Sequence, residues 1–150
     1  MTPTAGGAGT VGPPRSRAAL AATTGFVGLA GLELALALGA PLGQFAMGGA
    51  YTQLTTRLRV AAAILALFWP LAALVVLRRG GYPIVPIPPG VARCGTWGLV
   101  ALLGLGVLMN LASPSRWERL LMTPFAATLL ALCLIVARSR TETDEQPQPR

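Results

Sequence analysis

The chain of 150 residues is 53% hydrophobic and only 11% charged, whereas soluble domains carry about 25% charged residues. All twelve basic residues are arginine, and the chain has no histidine. A zinc or haem site would therefore have almost no ligands, and no metal or cofactor is expected. The net charge of +7 does not indicate a nucleic-acid partner, because the arginines stand mostly in pairs at the ends of apolar runs, where they anchor membrane helices.

The two ends of the chain are polar and frame one apolar domain. Residues 1–17, MTPTAGGAGTVGPPRSR, are rich in Gly, Pro, Thr and Ala and cannot bury a core, so they are predicted to be a disordered tail. Residues 139–150 are predicted to be a second polar tail. The domain between them, residues 18–138, is predicted to cross the membrane four times.

Four apolar runs predict the four spans: residues 18–40, 58–77, 94–112 and 120–137. Each is close to the roughly 20 residues that a helix needs to cross a hydrocarbon core about 30 Å thick. The first run is longer than the apolar region of a signal peptide and contains an acid, so we expect it to remain a helix. The predicted fold class is therefore all-α, a four-helix transmembrane bundle with short loops.

Glu33 is the one charged residue inside the first span, about 10 Å below its end. Because an acid in the bilayer costs on the order of 2.5–3.5 kcal/mol, we expect Glu33 to be protonated and to face the other helices. Its predicted partners are the carbonyl of Ala66, which Pro70 leaves without its usual donor, Thr128 and Asn110. Two roles stay open for Glu33, proton coupling and helix packing through one hydrogen bond.

The loop of residues 78–93 is rich in proline and is predicted to be an extended connector. The positive-inside rule then predicts a plasma-membrane protein with both termini in the cytoplasm, since more arginines lie on their side. That side has Arg15, Arg17, Arg78, Arg79, Arg93, Arg138 and Arg140, and the other side has Arg57, Arg59, Arg116 and Arg119.

The polar stretch NLASPSRWERLLMTPFA, residues 110–126, separates the last two spans. Ser115 and Glu118 form the S-x-x-E pattern of a capping box, in which each side chain accepts from the other residue's N–H. This stretch, residues 110–126, is called the elbow below. Trp117 is predicted to anchor it at the membrane interface, with Arg116 and Arg119 near the lipid phosphates. No histidine is present to activate a serine, and a carboxylate beside two arginines is a poor base, so no catalytic residue is expected.

A resemblance follows from these residues. The stretch MNLASPSRWERLLMTPFA, followed by a short apolar helix, resembles the closing half of a group of uncharacterised small four-span bacterial integral membrane proteins. The stretches GAPLGQFAMGG and RLRVAA resemble the first outer loop and the second-helix start of the same group. The resemblance covers most of the chain beyond the N-terminal tail and implies the four-span topology without adding an activity.

Two functions are compatible with these features. The first is a non-enzymatic structural or accessory component of the membrane that packs with a second copy of itself or with a membrane protein partner. The alternative is a small proton-coupled transporter that uses Glu33, similar in outline to the small multidrug-resistance transporters, although the later motifs of that family are not evident. A transporter would need a cavity that reaches Glu33, and a packing protein would not.

Overall fold

The computed structural model describes residues 14–83 and 85–139, and these form a four-helix bundle, which confirms the predicted fold class. The helices are α1 (Pro14–Ala37), α2 (Thr56–Arg79), α3 (Pro89–Ala112) and α4 (Thr123–Arg138), with one π-helical turn (Glu118–Met122) leading into α4. Each helix packs on its sequence neighbours and α1 closes the ring against α4. Helices α1, α2 and α3, and α4 together with its π turn (Glu118–Arg138), are long and apolar enough to cross a membrane.

The first helix begins and ends earlier than the predicted span. Pro14 is its first residue, so residues 14–17 are helical rather than part of a tail, and a proline in the first turn needs no hydrogen-bond partner for its missing N–H. Gly39 has a φ of 95°, and the N–H of Ala40 donates to the carbonyl of Ala35, which is a Schellman ending. The helix therefore ends at Ala37. The predicted disorder of residues 1–13 and 140–150 concerns positions outside the described ranges.

The other helices also extend past the apolar runs that predict them. Helix α2 includes arginines in its first and last turns, since a long arginine side chain can reach water while its stem lies on apolar surface. Helix α3 begins at Pro89, inside the loop that was predicted to be extended, because proline is favoured in the first turn of a helix. The π turn before α4 was not predicted at all.

The interior of the bundle is small and the exterior is apolar. A large buried cluster joins the helices, and its largest enclosed side chains are Phe26, Val76, Leu129, Cys133 and Val136. Large apolar side chains face outward on every helix; Leu67 of α2 is 74% exposed and Ile135 of α4 is 47% exposed. A lipid environment accommodates such a surface without the cost that water would impose.

Arginine side chains fasten the end of the bundle where α1 begins and α4 ends. Arg79 is 8% exposed, and its Nη2 donates to the carbonyl oxygens of Ala137 at 3.3 Å and Ser139 at 2.9 Å. A cation at the C-terminus of α4 also matches the negative end of the helix dipole. Arg78 Nε donates to the carbonyl of Ile87 at 2.9 Å and thereby holds the proline-rich loop against the bundle.

Candidate functional site: a carboxyl-lined cavity

A partly open cavity of about 300 Å³ lies between the helices near the end that carries residues 38–55 and 113–117, here called the elbow end. All four helices contribute to its wall, and half of the lining residues are leucine or phenylalanine. Its polar groups come from Glu33, Trp69, Asn110 and Glu118. Among the described residues that line it, none carries a positive charge.

Glu33 faces this cavity from α1, four residues before the helix ends and thus about 6 Å below the end. Its Oε2 is buried and has no hydrogen-bond partner among the described residues. Glu33 makes no hydrogen bond to the Ala66 carbonyl, and on α2 the cavity is lined by Leu65 and Trp69 rather than by Ala66. Thr128, another predicted partner, is exposed and donates to its own helix at the carbonyl of Pro124.

Trp69 also lines the cavity, and it carries a second buried polar atom without a partner. Its ring stacks on Phe26 with centroids 5.6 Å apart and an interplanar angle of 12°. Its indole Nε1 is buried and has no hydrogen-bond partner among the described residues. Sequence reasoning missed this residue, although a signal existed. Tryptophans of membrane proteins are enriched at the interface, and Trp69 stands near the middle of an apolar run, where its N–H must find a partner.

Glu118 reaches the cavity from the π turn and is 4% exposed. Its Oε1 accepts from the backbone N–H of Gly48 at 2.8 Å, which joins the elbow to the first loop. Half of the predicted capping box is present, since the Glu118 N–H donates to Ser115 Oγ at 3.4 Å. The other half is not, because the Ser115 N–H donates to Ser113 Oγ at 3.1 Å instead. The carboxylate predicted to cap its own helix binds a loop 70 residues away.

Residues 43–49, here called the cover segment, pack against the elbow and close one side of the cavity. Ser115 Oγ donates to the carbonyl of Gln44 at 2.7 Å. Gly49 approaches Ser115 so closely that an added Cβ would lie 2.6 Å from the Cβ of Ser115. The ring of Phe45 lines the cavity on one side and contacts Trp117 on the other, with centroids 5.5 Å apart. The predicted anchors Arg116 and Arg119 are exposed beside this contact.

The π turn has a local cause in the sequence. Pro124 has no N–H to donate to the Leu120 carbonyl, and its ring crowds that oxygen in a regular α-helix. The chain widens by one residue instead, and both the N–H and the Oγ1 of Thr123 donate to the carbonyl of Glu118. Such turns occur frequently at functional sites. Here the turn starts at the residue whose carboxylate enters the cavity.

A second cavity of about 440 Å³ lies beside the first at the elbow end. Its wall includes Gly48, Ser113 and Pro114, and it shares Asn110 and Glu118 with the first cavity. These two polar side chains therefore contribute to both spaces. A polar solute moving between the elbow surface and Glu33 would pass them.

The two cysteines lie on α3 and α4. Cys94 is exposed and Cys133 is buried, both as free thiols. No group of three or more His, Cys, Asp or Glu side chains that could hold a metal ion occurs within residues 14–83 and 85–139. Gly95 packs on Val75 of α2, and Gly106 lines the first cavity. What the site can do chemically thus rests on two carboxyl groups, one amide and one indole N–H.

Comparison with other proteins adds no further residue to this site. No protein-family model, no curated protein and no solved structure matches the chain. Its activity is therefore inferred from the cavity and the groups that line it.

Proposed function

We propose that the protein is a small multi-pass membrane transporter that couples movement of a solute to protonation of Glu33. The observation that carries the proposal is the 300 Å³ cavity at Glu33, whose Oε2 has no partner among the described residues. A purely packing role would be expected to give this carboxyl group a hydrogen bond to a neighbouring helix. An acid that faces a cavity inside a membrane bundle is instead typical of ion and proton pathways.

Solute movement is coupled to protonation because the solute and the proton compete for the carboxyl group of Glu33. The protonated form of Glu33 is neutral and is tolerated in an apolar cavity, whereas the ionised form needs a cation or several hydrogen bonds. A solute that supplies these interactions displaces the proton, and a proton displaces the solute. The only other titratable side chain among the described lining residues is Glu118, which already accepts from Gly48. The adjoining cavity shares Asn110 and Glu118 with the first and lies at the elbow end, which supports entry of the solute from that side.

The same proposal places the chain in the plasma membrane with both termini in the cytoplasm. It is supported by the excess of arginines near the end opposite the elbow. The elbow end, with Trp117 and its neighbouring arginines, then lies at the outer surface. The resemblance of residues 109–126 to small four-span bacterial membrane proteins supports kinship with that group.

Proteoliposomes that enclose a pH-sensitive dye test the proposal. A pool of cationic and neutral solutes is added outside, and proton flux is compared between the wild type and Glu33→Gln. We expect a solute-dependent flux in the wild type and none in Glu33→Gln, which cannot exchange a proton. Glu142→Gln, which removes a carboxylate far along the chain from the cavity-lining residues, is the control and should retain the flux. Equal flux in the Glu33→Gln and wild-type proteins, or silence in both, would contradict the proposal.

A second candidate, an accessory component that packs with another membrane helix, is supported by the outer face of α1. Ala21, Thr24, Gly28 and Gly31 are exposed along this face, and a Cβ added at either glycine would meet nothing within 4 Å. Small residues allow a second helix to approach closely. If this face forms a contact, Gly28→Leu should reduce cross-linking to a second copy or to a co-purifying partner while the proton flux persists. Unchanged cross-linking would count against this candidate.

A further inference from the structure

A buried carboxylate stands where the two cavities adjoin. Glu118 lines both cavities, and its Oε1 accepts from the N–H of Gly48. No described residue donates to its Oε2, and this atom is not fully enclosed. Removing a carboxylate from water is costly unless a cation or several hydrogen bonds replace the water. One hydrogen bond from a neutral N–H leaves most of that requirement to an occupant of the cavity.

The arginines nearest to Glu118 along the chain do not supply the missing positive charge. Arg116 and Arg119 are both exposed, and neither lines the second cavity. No described residue in the wall of that cavity is basic. A positive charge beside Glu118 in this cavity would therefore be that of a bound ion.

The other polar groups around the second cavity are mostly oxygen donors. Met109, Asn110 and Ala112, in the last turn of α3, form part of its wall, and Ser113 follows them. The last four carbonyls of an α-helix lack partners within the helix, and they carry the negative end of its dipole. That of Asn110 gains a partner here, the N–H of Ser113. Unpaired carbonyls at helix ends are ligands that membrane transporters use for Na⁺.

We propose that the second cavity binds a monovalent metal cation through the carboxylate of Glu118 and the amide oxygen of Asn110. Carbonyl oxygens at the end of α3 and water complete the coordination. Hard cations take oxygen ligands, so the absence of histidine, which argues against zinc and haem, does not argue against this ion. The inference goes beyond the proposed function, because a cation can bind at Glu118 whether or not Glu33 exchanges a proton.

The charge of the wall favours a monovalent ion over a divalent one. Glu118 is the only acidic residue among the described residues that line the second cavity, and its carboxylate balances one positive charge. Ca²⁺ usually takes about 6–8 oxygen ligands, several of them from carboxylates. A divalent ion beside a single carboxylate would leave an unbalanced charge in partly apolar surroundings, where charge interactions are strong.

Binding of radioactive Na⁺ to the purified full-length protein tests the proposal. The protein is held in maltoside micelles, whose headgroups carry neither a charge nor an ammonium group. N-methyl-D-glucamine chloride keeps the ionic strength constant. We expect saturable binding that unlabelled Na⁺ displaces and that the bulky organic cation does not.

Three variants locate the ion. Glu118→Gln keeps an acceptor oxygen for the Gly48 N–H but removes the charge, and it should weaken Na⁺ binding by about 10-fold or more. Asn110→Leu removes the amide oxygen at similar size and should weaken binding by about 3- to 10-fold. Glu33→Gln should bind Na⁺ as the wild type does, because Glu33 lines the first cavity and not the second.

Hydrogen exchange of the Gly48 amide shows whether the Glu118→Gln protein keeps its fold at this point. Exchange at the wild-type rate together with lost Na⁺ binding would assign the loss to the missing charge. The absence of saturable Na⁺ binding in the wild type, or equal affinity in the wild type and Glu118→Gln, would overturn the proposal. Stronger displacement by Ca²⁺ than by unlabelled Na⁺ would overturn it too, as would binding that is lost in Glu33→Gln and kept in Glu118→Gln.

The binding assay and the flux assay fail independently. Glu33-dependent proton flux in a protein that binds no Na⁺ would leave the transporter function standing and remove the cation site. Na⁺ binding that depends on Glu118, in a protein without proton flux, would support the cation site while the transport proposal fails.

Discussion

Replacing each of two neighbouring glycines by alanine tests how the cover segment is held on the elbow. Gly48 and Gly49 have φ angles of 82° and 66°, so both lie in the left-handed region that side chains disfavour. They differ in their surroundings. A Cβ added at Gly48 meets nothing within 4 Å, whereas one added at Gly49 lies 2.6 Å from the Cβ and 2.7 Å from the Oγ of Ser115.

Both substitutions should therefore carry the free-energy cost of a left-handed backbone, and only Gly49→Ala should add a steric cost. The left-handed conformation should cost about 1–2 kcal/mol for alanine at either position. Gly49→Ala adds a steric conflict with Ser115, whose own position is fixed by its bond to Gln44, and overpacking of this kind costs about 1–3 kcal/mol. We therefore expect the free energy of unfolding of Gly49→Ala to be lower than that of Gly48→Ala by about 1–3 kcal/mol.

Unfolding of both variants in mixed detergent micelles gives the two free energies for comparison with the wild type. Hydrogen exchange of residues 43–49 shows whether the loss of stability is local to the cover segment, as the contact with Ser115 requires. Equal destabilisation by the two substitutions, or a larger effect of Gly48→Ala, would refute the argument that the cover segment is docked on Ser115.

Two further predictions concern buried polar contacts. Glu118→Ala should raise the hydrogen-exchange rate of the Gly48 amide by about 5- to 150-fold, because losing the acceptor of a buried N–H costs about 1–3 kcal/mol. Glu118→Gln keeps an acceptor oxygen and should change this rate little. Similar rates in the two variants would contradict the prediction. Arg79→Met should lower the free energy of unfolding by about 1–3 kcal/mol by leaving carbonyls at the end of α4 unpaired. The exposed Arg138→Met should stay within about 0.5 kcal/mol of the wild type, and an equal effect of both would argue against the buried contact.

The helices were predictable because the apolar runs and the arginines at their ends are local signals. The positions of the helix ends were less predictable. Gly39 stops α1 three residues before the predicted end at Ala40, and Pro89 starts α3 inside a segment whose prolines suggested an extended chain. In both cases a single residue with restricted or unusual backbone geometry decided the boundary, and hydropathy does not register it.

The cavity was only partly predictable. The cost of an intramembrane acid indicated that Glu33 faces the interior, and the structure places it in the cavity wall. The capping pattern at Ser115 and Glu118 described one local hydrogen bond correctly, but the bond from Gly48 to Glu118 joins residues 70 positions apart. No local pattern encodes such a tertiary partner, since a carboxylate accepts equally well from any N–H that the fold brings to it.

The π turn also makes the second carboxylate of the cavity depend on the number of residues in the chain. One residue more than a regular helix requires is accommodated between Glu118 and Met122. Deleting one residue there would rotate Glu118 by about 100° about the helix axis relative to α4. A single-codon deletion at this turn would thus turn the Glu118 carboxylate to another side, while the lining residues of α1 and α2 lie outside the changed segment.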